Sequence, residues 1–92
     1  MDKIYIQQIG YITDIQDVIL IKRHHKPDFP KQVFTFTSID NQVCFPEVRG
    51  DKTKMLENLK DGERVEIKFS LEGSEKNGKK YNNMLAYSIK PV

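Results

Sequence analysis

Apolar and polar side chains alternate strictly over residues 63–72. Four apolar residues share one parity there: Val65, Ile67, Phe69 and Leu71. The residues between them are charged or polar, and a period of two predicts a β-strand with one buried face. The turn-forming segment Lys60-Asp61-Gly62 precedes this strand and Gly73-Ser74 follows it, which bounds the prediction at both ends.

Three other segments carry weaker strand patterns. Residues 32–38 place aromatic residues on one parity, and a short turn-prone link at 39–42 leads into an apolar run at 43–48, which predicts a hairpin. A last strand is predicted over residues 80–90, after the turn signal Asn77-Gly78. Four phenylalanines of the predicted strands are candidate core residues: Phe34, Phe36, Phe45 and Phe69.

The N-terminal segment is apolar on both parities. Its apolar residues are Ile4, Tyr5, Ile6, Ile9 and Tyr11. Gly10 interrupts the run, and a strand accommodates glycine mainly at a bulge or a sharp bend. A long first strand that bends at Gly10 and pairs on both sides explains this pattern. Residues 18–23 continue it and pair with 31–36 across a loop, in which Pro27 and Pro30 exclude a helix.

A single short helix is predicted between the third and fourth strands. Asp51 is its candidate N-cap, and Gly62 is its candidate C-terminal cap. Its apolar stripe consists of Met55, Leu56 and Leu59. The element order predicts an all-β fold with one short helix, the five-stranded OB-fold barrel. Ligands of that fold cross strands two and three between two loops, which here are residues 24–31 and 73–79.

Charge is distributed unevenly along the chain. The 92 residues suit a single domain over 1–92, and 15 basic against 13 acidic side chains give a net charge of +2. Residues 22–31 and 73–90 nevertheless each carry +3, whereas the remainder carries −4. An alternative interpretation is that these lysines simply occupy solvated loops without a binding role. These basic segments, however, coincide with the loops that an OB-fold uses to hold its ligand, so we expect one positive surface.

No combination of residues indicates catalysis, so we expect neither enzymatic activity nor a cofactor. The sequence contains no P-loop, dinucleotide fingerprint or Ser-His-Asp set. His24, His25 and Asp28 lack a further ligand at a plausible spacing, and no metal site is predicted. Cys44 is interpreted as a small buried hydrophobe. A lone cysteine, the absence of an apolar leader after Met1 and apolar runs too short for a bilayer favour a cytoplasmic protein.

Several short motifs lie in the C-terminal half of the chain. They are Cys44-Phe45, Arg49-Gly50-Asp51-Lys52, Leu59-Lys60-Asp61-Gly62-Glu63-Arg64-Val65, Phe69-Ser70-Leu71-Glu72-Gly73, Asn77-Gly78-Lys79-Lys80-Tyr81 and Ala86-Tyr87-Ser88-Ile89. This set resembles bacterial single-stranded DNA-binding proteins. It is closer still to a small, uncharacterised group of OB-fold domains from Bacteroidetes-type bacteria and their phages. The resemblance covers residues 9–14 and 29–91.

The resemblance implies non-catalytic, sequence-nonspecific binding of single-stranded DNA by a homodimer or larger homo-oligomer. Such binding uses cations along the phosphates and aromatic rings on which bases stack. Seven basic residues are placed to contact phosphates: Lys22, Arg23, Lys26, Lys31, Lys76, Lys79 and Lys80. Phe29 and Tyr81 are placed to stack. Arg49 stands where the family usually carries an aromatic, and its guanidinium can stack on a base. Tyr87 shares the parity of its apolar neighbours and is assigned a structural role.

Two alternative functions stay open at the level of the sequence. The chain contains no tryptophan, although the family usually places several in its groove, and the net charge is modest. Both features favour a protein–protein or scaffold domain of the same fold, and the clustered lysines oppose it. Single-stranded RNA is the other alternative ligand, because stacking and phosphate contacts serve both polymers.

Overall fold

β-Strands dominate the structure, a computed structural model that describes residues 5–92. The strands are β1 (Ile6–Thr13), β2 (Ile19–Arg23), β3 (Lys26–Val33), β4 (Thr35–Ser38), β5 (Val43–Cys44), β6 (Glu47–Arg49), β7 (Arg64–Lys76) and β8 (Lys79–Pro91). One 3-10 helix, η1 (Gly50–Leu56), lies between β6 and β7. The fold is therefore mostly β with a minor helix, as predicted. Ile4, which the sequence places in the first strand, lies outside the described residues.

These eight strands form one curled sheet in the order β2-β3-β6-β8-β7-β1-β4-β5. Neighbours pair antiparallel except β6 and β8, which are parallel. β3 and β4 follow each other along the chain, and they pair with β6 and with β1, respectively. The chain of pairings therefore starts at β4, passes through β1, β7, β8 and β6, and ends at β3, which directly precedes β4 in the sequence. The sheet wraps around its own interior as a result.

β1 lies between two partner strands, and β4 approaches it very closely at Gly10. This residue pairs with Ser38 of β4 and with Val65 of β7. A Cβ atom at position 10 would lie 2.1 Å from the carbonyl oxygen of Thr37, which real Cβ atoms essentially never do. Only glycine permits this approach. The prediction that the first strand pairs on both sides at Gly10 is confirmed.

The interior of the curled sheet holds one apolar cluster. Its buried residues are Ile12, Phe34, Phe36, Val48, Leu56, Val65, Ile67, Phe69, Ala86 and Ile89. Alternation in β7 contributes three of them, Val65, Ile67 and Phe69, as a period of two predicts. Leu71, the fourth residue predicted on this face, is 62% exposed because β7 leaves the core beyond Phe69. Among the candidate core phenylalanines, Phe45 is the exception, because its side chain is 66% exposed. Pro46, the next residue, is buried in its place.

The predicted count of five strands is wrong, because three of the predicted strands are interrupted. Residues 14–18 form no strand between β1 and β2, and Asp14 adopts a left-handed φ of 48°. The second predicted strand breaks at Phe34, whose amide donates a hydrogen bond to the carbonyl of Pro46 (3.2 Å). Pro46 also divides the third, because proline cannot donate a ladder hydrogen bond.

The helix is shorter than predicted, and its caps differ. η1 ends at Leu56, and Gly62 belongs to a later turn with a φ of 85°. Arg49 occupies the N-cap position in an extended conformation, which leaves Asp51 in the first turn rather than at the cap. Gly50, with a φ of 62°, begins the helix two residues earlier than predicted. The predicted stripe does pack on the core: Met55, Leu56 and Leu59.

Both basic segments are hairpins, so the predicted loops at 24–31 and 73–79 are wrong in extent. β2 pairs with β3, with a register shift near Arg23, and His24-His25 connects them. The pairing involves residues 26–31 rather than the predicted 31–36. β7 and β8 pair continuously up to the Asn77-Gly78 turn. Both turn residues have positive φ, which suits a tight two-residue connection.

We expect Gly10→Ala to lower the free energy of unfolding by at least about 2 kcal/mol, because the new methyl group overlaps the backbone of β4. Tm should then fall by roughly 8 °C or more in thermal melts followed by far-UV circular dichroism. Gly73→Ala is the control, since its Cβ would meet its nearest neighbour, the Tyr81 carbonyl oxygen, at 4.0 Å. Equal Tm values for the two variants would show that closure tolerates a side chain at position 10.

Candidate nucleic-acid interface

Phe29 contacts two arginines on one face of the sheet. The guanidinium carbon of Arg23 is 4.8 Å from the centre of the Phe29 ring, and that of Arg49 is 5.7 Å away. Both distances fall within the range of about 6 Å for cation–π contacts. Together with Gly50 these residues line an open depression of about 500 Å³. A half-buried aromatic ring and two guanidinium groups are thus presented together.

Strand register brings these residues together from three segments of the chain. Phe29 and Lys31 lie two residues apart in β3 and therefore share a face. Lys31 is directly opposite Arg49 of β6. Arg23 reaches the same ring from β2, where its Nε and Nη2 donate to the carbonyl of Pro27 at 3.0 and 2.7 Å. These hydrogen bonds hold the guanidinium over the aromatic face.

A buried carboxylate, Glu47, anchors the cations of this face. Glu47 is 6% exposed, and its Oε2 accepts a hydrogen bond from Arg49 Nε at 2.7 Å. The same oxygen is 3.8 Å from Nζ of Lys31. Arg49 also contacts Glu72 of β7, with 3.6 Å between Nη1 and Oε1. Since a buried carboxylate requires paired cations, Glu47 fixes Arg49 and Lys31 and also cancels part of their charge.

The hairpin of β7 and β8 extends beyond the core as a two-stranded arm. Residues 71–82 are exposed throughout. The three pairs nearest the turn are Ser74–Tyr81, Glu75–Lys80 and Lys76–Lys79. Both faces of the arm are therefore accessible to a ligand.

Alternation sorts the basic residues of the arm onto its two faces. Three predicted site residues share one face: Lys76, Lys79 and Tyr81. Lys80 lies on the other face, opposite Glu75. Glu72 has the same parity as the first group, and its contact with Arg49 joins the arm to the Phe29 depression. One surface thus continues from the depression onto the arm.

The ten predicted site residues therefore fall into three sets. Four surround the depression: Arg23, Phe29, Lys31 and Arg49. Three lie on the adjoining face of the arm: Lys76, Lys79 and Tyr81. We name these seven residues the cationic face. The remaining three are not part of it, because Lys22 and Lys80 alternate to the opposite faces of their strands. Lys26 pairs with Arg23 and lies beside the cationic face at the tip of the β2–β3 hairpin.

Sequence reasoning did not find three residues beside the cationic face. Tyr5 and Tyr87 stack with ring centres 4.6 Å apart, and Nζ of Lys52 lies 4.6 Å from the Tyr87 ring centre. Tyr87 is 49% exposed, so it is not a core residue although it shares the parity of its apolar neighbours. A register shift between Lys68 and Phe69 leaves Tyr87 without an opposite residue and turns it outward. Neither glycine nor proline marks this bulge in the sequence.

Two groups of the structure have shifted pKa values. Desolvation, and to a smaller extent the neighbouring Tyr87, raise the pKa of Tyr5. Burial raises the pKa of the Cys44 thiol, which stays protonated at neutral pH and is a poor nucleophile. Within residues 5–92, no three His, Cys, Asp or Glu side chains come together to hold a metal ion. Across the same described range, no helix has the length and apolar character needed to cross a bilayer.

The fold is similar to that of two single-stranded DNA-binding proteins of known structure. The small single-stranded DNA-binding protein from Streptomyces coelicolor matches with a TM-score of 0.53 and 13% identity, over 100% of this chain and 96% of that one. The mitochondrial single-stranded DNA-binding protein from S. cerevisiae matches with a TM-score of 0.51 and 16% identity, over 100% and 97%. No protein-family model matches the sequence, and no curated protein does.

These similarities establish an OB-like fold of the kind found in single-stranded DNA-binding proteins. At such low identity they do not transfer binding residues. The nearer resemblance to a Bacteroidetes and phage group stays a prediction.

Proposed function

We propose that this chain binds single-stranded DNA, without catalysis and largely without sequence preference. The observation that carries the proposal is the contact of the Phe29 ring with Arg23 and Arg49 on an open face. Bases stack on aromatic rings and on guanidinium planes, whichever base is presented. This group therefore offers a stacking platform that is independent of sequence.

Stacking alone does not neutralise the phosphates of DNA. The arm supplies positive charge along the path of the DNA strand. Lys76 and Lys79 share the face of Tyr81, so phosphates and a base can be contacted together. A DNA strand that lies on Phe29 can continue onto the same face of the arm. The contact between Arg49 and Glu72 makes the Phe29 depression and this face of the arm adjacent. Two stacking positions flanked by cations suit a flexible single strand, whose bases are free to turn toward the protein.

The likeness in fold supports the same ligand class, because both matched proteins are described as single-stranded DNA-binding proteins. A 92-residue chain covers a short length of strand. Assembly into a homodimer or larger homo-oligomer, which we include in the proposal, would add binding sites on one strand and raise the avidity.

The first test is fluorescence anisotropy with labelled oligo-dT, oligo-rU and duplex DNA, each at about 50 and 200 mM salt. We expect oligo-dT to bind more tightly than duplex. Three to five phosphate contacts would lower its affinity by roughly 20- to 100-fold between the two salt concentrations. Tighter binding of oligo-rU would assign the protein to RNA. Absence of binding to all three at the lower salt would contradict the proposal and favour a protein–protein domain.

The two adjacent lysines of the arm should contribute unequally. We expect Lys79→Glu to weaken oligo-dT binding severalfold and to reduce the salt slope by about 0.7, because Lys79 lies on the cationic face. Lys80→Glu should weaken binding less, since Lys80 faces away beside Glu75. The double variant should bind more weakly than either and still fold, because both residues flank a turn.

Lys60→Glu is the matched control for these charge reversals. Lys60 is exposed in the turn that precedes β7, at the opposite end of this strand from the arm's tip. Its reversal changes the net charge equally and should leave the affinity within about twofold. If the three single variants lose equal affinity, binding depends on net charge rather than on the cationic face.

Removal of the Phe29 ring should weaken binding to single-stranded DNA of every base composition. We expect Phe29→Ala to lower the affinity for oligo-dT, oligo-dC and oligo-dA alike by about tenfold, as one lost base stack contributes roughly 1–3 kcal/mol. Phe29→Tyr should retain binding. Phe45→Ala is the control, because it removes an exposed phenylalanine outside the cationic face. A large fall in Tm with unchanged affinity would instead show that Phe29 anchors the β2–β3 hairpin.

A further inference from the structure

A distinct cleft of about 260 Å³ adjoins the cationic face. The stacked rings of Tyr5 and Tyr87 line it together with Arg49, Glu47 and Ser70. Pockets for drug-sized ligands measure about 300–1,000 Å³, so this cleft suits a single planar ring system. Both kinds of surface on which nucleobases stack, an aromatic ring and a guanidinium plane, are present in its walls.

Lys52 adds a cation to the same cleft. Its Nζ lies 4.6 Å from the centre of the Tyr87 ring, and the residue is exposed on η1. A lysine side chain is flexible, so Lys52 can move away from the Tyr87 ring when a base stacks there. Its ammonium group can then contact the phosphate next to that base. The arrangement therefore matches a nucleotide whose base enters and whose backbone stays outside.

Glu47 is the buried charged group of this cleft, with 7% of its side chain exposed. A carboxylate only accepts hydrogen bonds and offers about four acceptor sites. Arg49 donates to Oε2, so acceptor capacity remains for a ligand. A base that enters must therefore present donors on its edge. Guanine presents two adjacent donors, the N1–H and the 2-amino group, whereas thymine presents one N–H between two carbonyl groups that a carboxylate repels.

We propose that this cleft is a base pocket that prefers guanine, with Glu47 as the acceptor for the guanine edge and Tyr87 as the stacking surface. The inference rests on the proposed binding of single strands and adds to it a preference at one position along the path. The remainder of the path stays tolerant of sequence, because stacking on Phe29 and contacts to phosphates do not read base edges.

The test uses the full chain and three labelled oligo-dT strands that carry thymidine, deoxyguanosine or deoxyinosine at one central position, so that only the base differs. Anisotropy titrations at about 50 mM salt should give an affinity about tenfold higher for the deoxyguanosine strand than for oligo-dT. Deoxyinosine lacks the 2-amino donor and should fall between the two. Equal affinities for all three strands would overturn the base pocket and leave strand binding intact. Absence of binding to any strand would overturn both proposals.

Two matched variants separate hydrogen bonding to the base from the general effect of negative charge. Glu47→Gln should bring the deoxyguanosine-to-thymidine affinity ratio close to one. Glu72→Gln removes the other carboxylate that contacts Arg49, and Glu72 does not line the cleft. That variant should bind all strands more tightly with an unchanged ratio. A preference for deoxyguanosine that persists in Glu47→Gln would overturn the assignment. Thermal melts verify folding, and if Glu47→Gln does not fold, the deoxyinosine comparison on the unmodified protein decides.

Discussion

The close approach of β1 and β4 at Gly10 is the contact on which the rest of the structure depends. β1 is the strand through which the pairings of β4 and β7 meet, and Gly10 has partners on both sides. Without this approach the curled sheet would stay open between β1 and β4. Core residues from both flanks, such as Ile12 and Phe36, would then face solvent. The absence of a side chain at position 10 thus permits the sheet to close around the apolar core.

Closure of the sheet also determines where the charged residues meet. β6 pairs with β3 on one side and with β8 on the other, and β8 pairs with β7. Arg49 of β6 therefore reaches both Phe29 of β3 and Glu72 of β7. Buried Glu47 then holds Arg49 by a 2.7 Å hydrogen bond. The resulting surface is well defined but only moderately positive, because carboxylates offset part of its charge. Stacking should therefore contribute to strand binding alongside phosphate contacts.

The sequence predicted those features that depend on neighbouring residues. Alternation in β7, the Asn77-Gly78 turn and the special position of Gly10 are local signals, and all three are present in the structure. The two basic segments were located by composition alone, although as loops rather than as hairpins. Errors arose where a local pattern competes with tertiary contacts. Phe45 has the hydrophobicity of a core residue, yet Pro46 takes the buried place.

The sequence by itself determined a mostly β chain, its turns, and the positions at which basic and aromatic residues occur, because these depend on periodicity and on backbone preferences of single residues. Only the tertiary structure decided which of those residues share a face. A one-residue register shift in β7–β8 exposes Tyr87, and strand pairing joins Phe29 to Arg49 while it sends Lys80 to the other side. Register depends on packing across the whole sheet, and no short stretch of sequence contains that information.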